Sequence, residues 1–399
     1  MVVELLLAAA LAVPSEVEFK ARIPEIFARA AEHYRALEAA TRVIRDGDGK
    51  LRGHIPHGFN RKTREYDMRN IRWWTSGHFP GALWYLFEAT GEAFFREAAS
   101  DWTRFLEPIK DYDANHDVGF MMYCSYGNAR RILKTTDFDA ILLKTADSLT
   151  HRFDARLGLI RSWGDISDRK QFLVIPDNMM NLELLMAASK LPGGEARFAE
   201  VAKSHADVSM RHHFRPDGGC YHVLNYDQRD GFLGQVQEIR RGQGLSCETA
   251  WSRGQAWGMY GYSMMYRETG DRRYLDFACK LSDYALKHPN MPADGVPCWD
   301  FGAPGEERDS SAAACMASAL LELSGAVGGE KGAFYRAFAV KQLAALASDE
   351  YFSQGDEIGH FLLKHGVGHK PALSEIDTPL DYGDYYFLEA LLRCRQTIR

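Results

Sequence analysis

This sequence predicts an all-α fold in which six helical hairpins close into a toroid, an (α/α)6 barrel. Apolar residues recur at helical spacing through most of the 399 residues. About six helix pairs follow one another at intervals of roughly 60 residues, and loops containing Gly, Trp or Asp precede the first helix of each pair. No long alternating strand pattern competes. Because each helix carries an apolar stripe, two concentric helical rings can bury these stripes against each other.

The predicted elements follow the chain in order. We expect Val2 to Val13 to form the first half of an amphipathic helix rather than a secretion signal, because no Lys or Arg precedes the apolar run and Glu4 interrupts it. A helix over 16–45 and a polar loop over 46–62 precede an apolar helix that Pro80-Gly81 opens and Gly91 ends. The first helices of the later pairs are predicted over 120–134, 178–190, 255–269, 312–325 and 385–396, and the second helices over 93–107, 137–153, 195–213, 272–288 and 331–349. The segment 219–240 is the best candidate for a β-hairpin.

Composition limits the class of protein and its partners. The net charge is −6, the pI is near 6.2 and no basic patch is present, which argues against nucleic acid. No linker interrupts the sequence, and no apolar stretch suggests a membrane span, so we predict one domain over 1–399 that is a monomer or a homodimer. Seven Cys without CxxC spacing or a Cys/His cluster argue against disulfides and zinc. They favour the reducing cytoplasm, with the periplasm as the alternative.

A carboxylate at a predicted helix start is the first catalytic candidate. Asp177 lies in Val174-Ile175-Pro176-Asp177-Asn178-Met179-Met180-Asn181-Leu182, where Pro176 stiffens the approach and the Met and Leu residues supply an apolar face. Asp177 or Asn178 can cap free amide groups. From this segment alone, Asp177 fits two descriptions: a helix N-cap, or a general acid/base at the mouth of a helical barrel.

A second acid favours the catalytic description. Asp117 lies in Asn115-His116-Asp117-Val118-Gly119-Phe120-Met121, 60 residues before Asp177 (177 − 117), again beside a Gly and an apolar run. One helix pair with its loops takes roughly 40 to 60 residues. Two acids one hairpin apart, each at a helix start, are therefore expected to face each other across a shared opening. His116 either orients Asp117 or only satisfies the loop.

The most distinctive segment combines Gly, Trp, Arg and Gln in Glu248-Thr249-Ala250-Trp251-Ser252-Arg253-Gly254-Gln255-Ala256-Trp257-Gly258-Met259-Tyr260-Gly261-Tyr262. Its Trp rings can stack on a sugar face, and Arg253 offers a planar fork that matches a carboxylate. The alternative for Arg253 is a buried side chain that ties a loop down. His222, after Tyr221, is either a ligand-binding or a structural histidine.

Five motifs in order resemble the unsaturated glucuronyl hydrolases, glycoside hydrolase family 88. They are His116-Asp117-Val118-Gly119-Phe120, Asp177-Asn178-Met179-Met180-Asn181-Leu182, Trp251-Ser252-Arg253-Gly254-Gln255-Ala256-Trp257-Gly258-Met259-Tyr260-Gly261, Asp309-Ser310-Ser311-Ala312-Ala313 and Tyr382-Gly383-Asp384-Tyr385-Tyr386-Phe387-Leu388-Glu389-Ala390-Leu391. The match runs from about Trp74 to Leu392. The resemblance implies an (α/α)6 barrel that releases a 4,5-unsaturated uronic acid from the non-reducing end of lyase-generated oligosaccharides.

The resemblance also implies roles for individual residues. Asp177 resembles the family's general acid/base and Asp117 its second essential acid. The positions that resemble substrate-binding residues are Trp74, His116, His222, Gln243, Arg253 and Trp257. Two segments depart from the family pattern, His78-Phe79 and the loop from Glu357 to Asp381, and they leave substrate choice open.

The implied reaction needs protons and water, so no metal or organic cofactor is expected. The sequence also lacks an HExxH motif and a phosphate-binding loop. Three alternatives stay open: an unsaturated rhamnogalacturonyl hydrolase, a sugar epimerase that uses His116 and His222, and a carbohydrate-binding toroid that needs neither acid. The source polysaccharide and its sulfation are not specified by the sequence.

Overall fold

Helices make up most of this protein. The computed structural model describes residues 14–47 and 54–396. Its α-helices are α1 (Glu16–Gly47), α2 (His78–Thr90), α3 (Ala93–Arg104), α4 (Val118–Met122), α5 (Asn128–Leu133), α6 (Asp139–Thr150), α7 (Asn178–Ala188), α8 (Ala196–His212), α9 (Ser252–Thr269), α10 (Arg272–Lys287), α11 (Ser310–Val327), α12 (Gly329–Leu346) and α13 (Asp381–Arg395). A π-helical turn, Tyr123–Gly127, joins α4 to α5.

The inner helices form a closed ring, as the predicted barrel requires. Helix α2 contacts α5, α4 contacts α7, and the contacts continue from α7 through α9, α11 and α13 back to α2. The helices α3, α6, α8, α10 and α12 pack outside this ring, and α1 closes the outer ring against α2, α12 and α13. One buried cluster runs from Phe19 to Cys394. The all-α (α/α)6 prediction is therefore confirmed.

Short antiparallel strands gather at the N-terminal ends of the inner helices. Strands β1 (His54–Asn60) and β2 (Glu65–Asn70) precede α2, and β3 (Phe153–Asp154), β4 (Leu159–Ile160) and β5 (Leu173–Val174) precede α7. Strands β6 (Val223–Tyr226) and β7 (Val236–Arg240) precede α9, and β8 (Gly366–His369) and β9 (Ser374–Thr378) precede α13. Strand β5 pairs with β6, which pairs with β7. These strands therefore wall one mouth of the barrel.

Several predicted boundaries differ from the structure. The helix predicted over 120–134 is interrupted by the π-helical turn, and the loop predicted over 46–62 contains the whole of β1. Helix α13 begins at Asp381, four residues before the predicted start, so Gly383-Asp384 lies inside the helix rather than at its opening. The hairpin predicted over 219–240 is confirmed as β6 and β7.

Apolar composition does not by itself distinguish a core helix from a membrane helix. Among the described residues, α11 is long and apolar enough to cross a bilayer, but 78% of its apolar window is buried inside the protein. The helix predicted for Val2 to Val13 lies outside the described residues.

Candidate active site

Asp117 and Asp177 stand at the N-caps of α4 and α7, two inner helices that contact each other. Neither carboxylate makes a side-chain capping hydrogen bond. By contrast, Asp271 caps α10 through the Arg273 N–H, and Asp309 caps α11. Asp177 therefore occupies the predicted N-cap position, but its carboxylate makes no capping hydrogen bond. Both carboxylates are left for another task.

Burial raises the pKa of both acids. The pKa of Asp177 rises from 3.8 to about 7 mainly through desolvation, which Arg253 and Trp257 partly oppose. The pKa of Asp117 rises from 3.8 to about 8, again mainly through desolvation and then through repulsion from Asp177, while Arg152 opposes the rise. Helices α4 and α7, which carry the two acids, contact each other, so the acids lie on adjacent hairpins as the 60-residue spacing predicted. Two such acids can hold one proton between them near neutral pH.

His116 contacts Asp117 and the residue that follows Asp177. Its Nε2 is 3.2 Å from Asp117 Oδ1, and its main-chain N–H donates to the Ser162 carbonyl. Burial lowers the pKa of His116 to about 3, so the ring is neutral, and a contact with the Asn178 side chain opposes that shift. Since Asn178 follows Asp177 directly, His116 connects the surroundings of both carboxylates.

His222 faces Asp177 with a defined ring nitrogen. The Gln243 main-chain N–H donates to His222 Nδ1 at 2.7 Å, so a neutral ring carries its proton on Nε2. That Nε2 lies 3.8 Å from Asp177 Oδ2. Burial lowers the pKa of His222 to about 3, which keeps the ring neutral. Gly242 permits this contact, because a Cβ there would stand 2.2 Å from the imidazole.

Arg253 is buried, and its two terminal nitrogens are bound within the protein. They donate to the main-chain carbonyls of Val367 and Gly368, to Gln243 Oε1 at 3.2 Å and to Asp309 Oδ2 at 3.2 Å. The guanidinium stacks over Trp251 at 4.4 Å. Arg253 therefore joins β8 to α9. This is the structural role that the sequence offered as the alternative to ligand binding. Its Nε is buried without a hydrogen-bond partner, and is the nitrogen left for a ligand.

Aromatic rings form the floor beside the two acids. Trp257 is fully buried, and its indole lies close enough to Asp177 to lower the pKa of that carboxyl, but neither Trp257 Nε1 nor Asp177 Oδ2 makes a well-formed hydrogen bond. Trp74 is partly exposed and packs on Tyr382, with ring centroids 4.8 Å apart. The Tyr382 hydroxyl is also buried and unpartnered. Unpaired buried polar atoms are costly, so this group of them indicates a site for a polar ligand.

The structure thus brings together the predicted residues Asp117, Asp177, His116, His222, Gln243, Arg253, Trp257 and Trp74. Sequence reasoning missed Tyr382, although it stands in one of the recognised motifs. The predicted helix start at residue 385 placed Tyr382 in a loop, whereas it lies in the first turn of α13.

One group beside the mouth has metal-ligand side chains. Among the described residues, ligand atoms of His57, Asp67 and Glu375 lie within 4.8 Å of one another. Arg69 already binds both acids, and His57 bridges Glu375 and Asp381. The pKa of His57 rises to about 10 because its two carboxylate partners outweigh the effect of burial. These side chains form an ion-pair network in which the cations are protein groups.

Comparison with known proteins now identifies the family. The chain is 40% identical over 329 residues to an unsaturated glucuronyl hydrolase of Formosa agariphila, and the match covers 82% of this chain and 80% of that protein. The chain is a member of the unsaturated glucuronyl hydrolase family. It is 32% identical over 356 residues to the unsaturated glucuronyl hydrolase of Bacillus sp. strain GL1, covering 86% and 91% of the two chains. No family model matches the chain.

Solved structures agree with this assignment. The crystal structure of an unsaturated glucuronyl hydrolase specific for heparin superposes with a TM-score of 0.84 at 39% identity, over 93% of this chain and 96% of the other. As an unsaturated glucuronyl hydrolase, the protein is a glycoside hydrolase. The uncapped carboxylates of Asp117 and Asp177 at the mouth have raised pKa values that fit an acid/base role.

Proposed function

We propose that this enzyme removes a 4,5-unsaturated uronic acid from the non-reducing end of lyase-generated oligosaccharides by hydrating the C4=C5 enol ether. The observation that carries the proposal is the carboxyl group of Asp177. It sits at a helix N-terminus without capping it, its Oδ2 is unpartnered, and burial raises its pKa to about 7. A carboxyl group with such a pKa can both donate and accept a proton at neutral pH.

The reaction uses one proton in a cycle. The Asp177 carboxyl donates a proton to C4, and the π electrons of C4=C5 form the new C–H bond while the ring oxygen stabilises the cation at C5. Water then adds to C5 as the Asp177 carboxylate takes its proton. The C5–O5 bond of this hemiketal breaks, and the hemiacetal left at C1 collapses to an aldehyde and releases the remaining sugar. Asp177 ends protonated, as it began.

The neighbouring residues suit a uronate. Asp117 keeps the pair singly protonated through its repulsion with Asp177. The Arg253 Nε, the Trp257 Nε1–H and the Tyr382 hydroxyl are unpartnered donors beside the pair and can bind the substrate carboxylate and hydroxyls. The partly exposed Trp74 offers a stacking surface. No metal or organic cofactor takes part in this scheme.

We further propose a substrate of the glycosaminoglycan type or a related acidic polysaccharide. One similar relative, from Streptococcus pyogenes serotype M1, is an unsaturated chondroitin disaccharide hydrolase at 32% identity over 83% of this chain and 84% of that protein. A second similar protein, the unsaturated glucuronyl hydrolase of the crystal structure described above, is specific for heparin. Parallel assays of unsaturated chondroitin and heparin disaccharides, with and without sulfate, identify the preferred source.

The test follows the conjugated enol ether by its ultraviolet band in D₂O. Wild type should bleach the band and place one deuterium at C4. An epimerase or a binding toroid would leave the band intact.

The matched variants are Asp177→Asn and Asp271→Asn. Asp177→Asn should retain less than a tenth of wild-type kcat, because general acid/base catalysis contributes about 10²- to 10⁴-fold. Asp271 does cap its helix, so Asp271→Asn should keep full activity. Activity of Asp177→Asn above about a tenth of wild type would refute the assignment.

A further inference from the structure

The side chain of Asn181 lies between the two helices that carry the acids. Asn181 is fully buried in α7, one turn after Asp177. Its Oδ1 accepts a hydrogen bond of 2.8 Å from the Phe120 main-chain N–H in α4. Its Nδ2 donates one of 3.3 Å to the Asp177 main-chain carbonyl. One amide therefore joins the backbone that follows Asp117 to the backbone that holds Asp177.

Helix α4 needs this bond because its own cap is missing. The first amides of a helix have no partner within the helix. Asp117 stands at the N-cap of α4 but makes no side-chain capping bond. The amide of Phe120, in the first turn, is satisfied by Asn181 instead. The neighbouring helix thus provides the hydrogen bond that Asp117 would normally make, and the Asp117 carboxylate, which contacts His116, takes no part in capping α4.

Gly119 sets how closely the two helices approach. A Cβ at Gly119 would stand 2.5 Å from Asn181 Cα and 2.6 Å from Asn181 Oδ1. Both distances are shorter than side-chain packing allows, so only Gly permits this approach. On its other side, α7 packs against Gly261 of α9, where a Cβ would stand 2.4 Å from Met179 Cβ. Helix α7 is therefore held closely from both sides, and its position relative to α4 is fixed.

We propose that Asn181 is a positioning residue that fixes the separation of the two acids by tying the first turn of α4 to the first turn of α7. This inference rests on the proposed function of Asp117 and Asp177. A shorter side chain at position 181 should let the two helix starts move apart. The proton shared by the pair would then be less well placed, and the repulsion between the carboxylates would weaken.

The test compares Asn181→Ala with a matched control, Asn225→Ala. Asn225 is also buried, and its Oδ1 accepts from the Phe172 main-chain N–H at the same distance of 2.8 Å. Each variant leaves one buried main-chain amide without its partner, so the two should lose similar thermal stability. Asn181→Ser, which retains a small polar group, is a milder variant in case Asn181→Ala fails to fold. All are assayed for kcat, KM and the pH dependence of kcat/KM.

Asn181→Ala should lower kcat about 10- to 100-fold, as small misplacements of catalytic groups do, while KM changes less than about threefold. The alkaline limb of the pH profile should move to lower pH, because weaker repulsion between the two carboxylates lowers the pH at which the pair loses its shared proton. The other groups that face the pair, Arg152, His116, Arg253 and His222, are unchanged in this variant. Asn225→Ala should keep both kcat and the pH profile.

An unchanged kcat and an unchanged alkaline limb in a folded Asn181 variant would overturn the inference. Equal losses of kcat in the Asn181 and Asn225 variants would also overturn it, because they would indicate a general effect of stability. These results are distinct from failure of the proposed function, which would appear as activity retained in Asp177→Asn.

Discussion

Replacing Arg253 with Lys tests whether this side chain holds the substrate, the barrel wall or both. The guanidinium makes four hydrogen bonds within the protein, to two main-chain carbonyls, to Gln243 and to Asp309. A Lys ammonium keeps the charge but is a single point on a flexible stem, so it can replace only some of these bonds. It also loses the planar stacking on Trp251. The fork that joins β8 to α9 would be broken.

The expected loss follows from the number of bonds. If Lys reaches Asp309 and one carbonyl, two bonds to a charged group are lost, each worth about 1.5–3 kcal/mol. The free energy of unfolding should then fall by about 3–6 kcal/mol. At about 2 cal/mol/K of unfolding entropy per residue, a chain of this length loses about 1.2 °C of Tm per kcal/mol, so Tm should fall by about 4–7 °C. The Nε–H is lost as well, and kcat/KM should fall about 10- to 150-fold, mainly through KM.

Calorimetry and kinetics on one unsaturated disaccharide measure both effects. Arg161→Lys is the matched control, since Arg161 is equally buried and donates to two main-chain carbonyls and to Gln228 Oε1. It should lose stability with little change in KM. If Arg253→Lys loses Tm but keeps KM and kcat, Arg253 only ties down the wall, and the 365–370 loop is the next place to seek the carboxylate's partner. Unchanged Tm would refute the hydrogen-bond argument itself.

Three further predictions concern the acids, metal ions and alkaline stability. Asp117→Asn should abolish most activity and move the alkaline limb of the residual kcat/KM to lower pH, since the repulsion within the pair disappears; full activity would make Asp117 structural. EDTA should leave turnover unchanged; a loss that a divalent ion restores would direct attention to the group around His57. The raised pKa of His57 contributes stability that is complete below pH 6.5 and is lost as pH rises towards 10. Between pH 9 and 10, where the raised carboxyl groups have largely ionised, His57→Gln should therefore show a shallower decline than wild type in the free energy of urea unfolding; parallel curves would contradict this.

The sequence predicted the architecture because the fold is built from local periodicity. Apolar stripes at helical spacing mark α1, α3, α8 and α10, whose boundaries are close to the predicted ones. Gly91 and Gly270 end their helices in the left-handed conformation that Gly favours. The interval between Asp117 and Asp177 correctly placed two acids on adjacent hairpins, since one hairpin occupies a nearly fixed length of chain.

The features that the sequence did not predict depend on contacts between segments that are distant along the chain. Strand β8 pairs with β9, and its Val367 carbonyl accepts a hydrogen bond from Arg253 in α9. The local sequence around Gly366 does not predict either contact. The π-helical turn at Tyr123–Gly127 has no sequence signal that we recognised. Asn181 resembles any Asn inside an apolar helix until the Phe120 amide is seen beside it. Such roles require the tertiary structure.

The two acids also show which electrostatic effect dominates at the mouth. A helix N-terminus stabilises a carboxylate by about 0.3–1 kcal/mol, or about 2 kcal/mol when partly buried, and would lower its pKa. The rise at Asp177 from 3.8 to about 7 corresponds to about 4 kcal/mol in the opposite direction. Desolvation therefore exceeds the helix contribution, and it does so because the strands and aromatic rings at the mouth keep Asp177 only 9% exposed. An uncapped acid at the start of a helix is usually ionised and ordinary. Here the surrounding wall brings the pKa of the same position to about 7, as the proposed proton donor requires, so the strands at the mouth contribute to the proposed chemistry together with the helices that carry the acids.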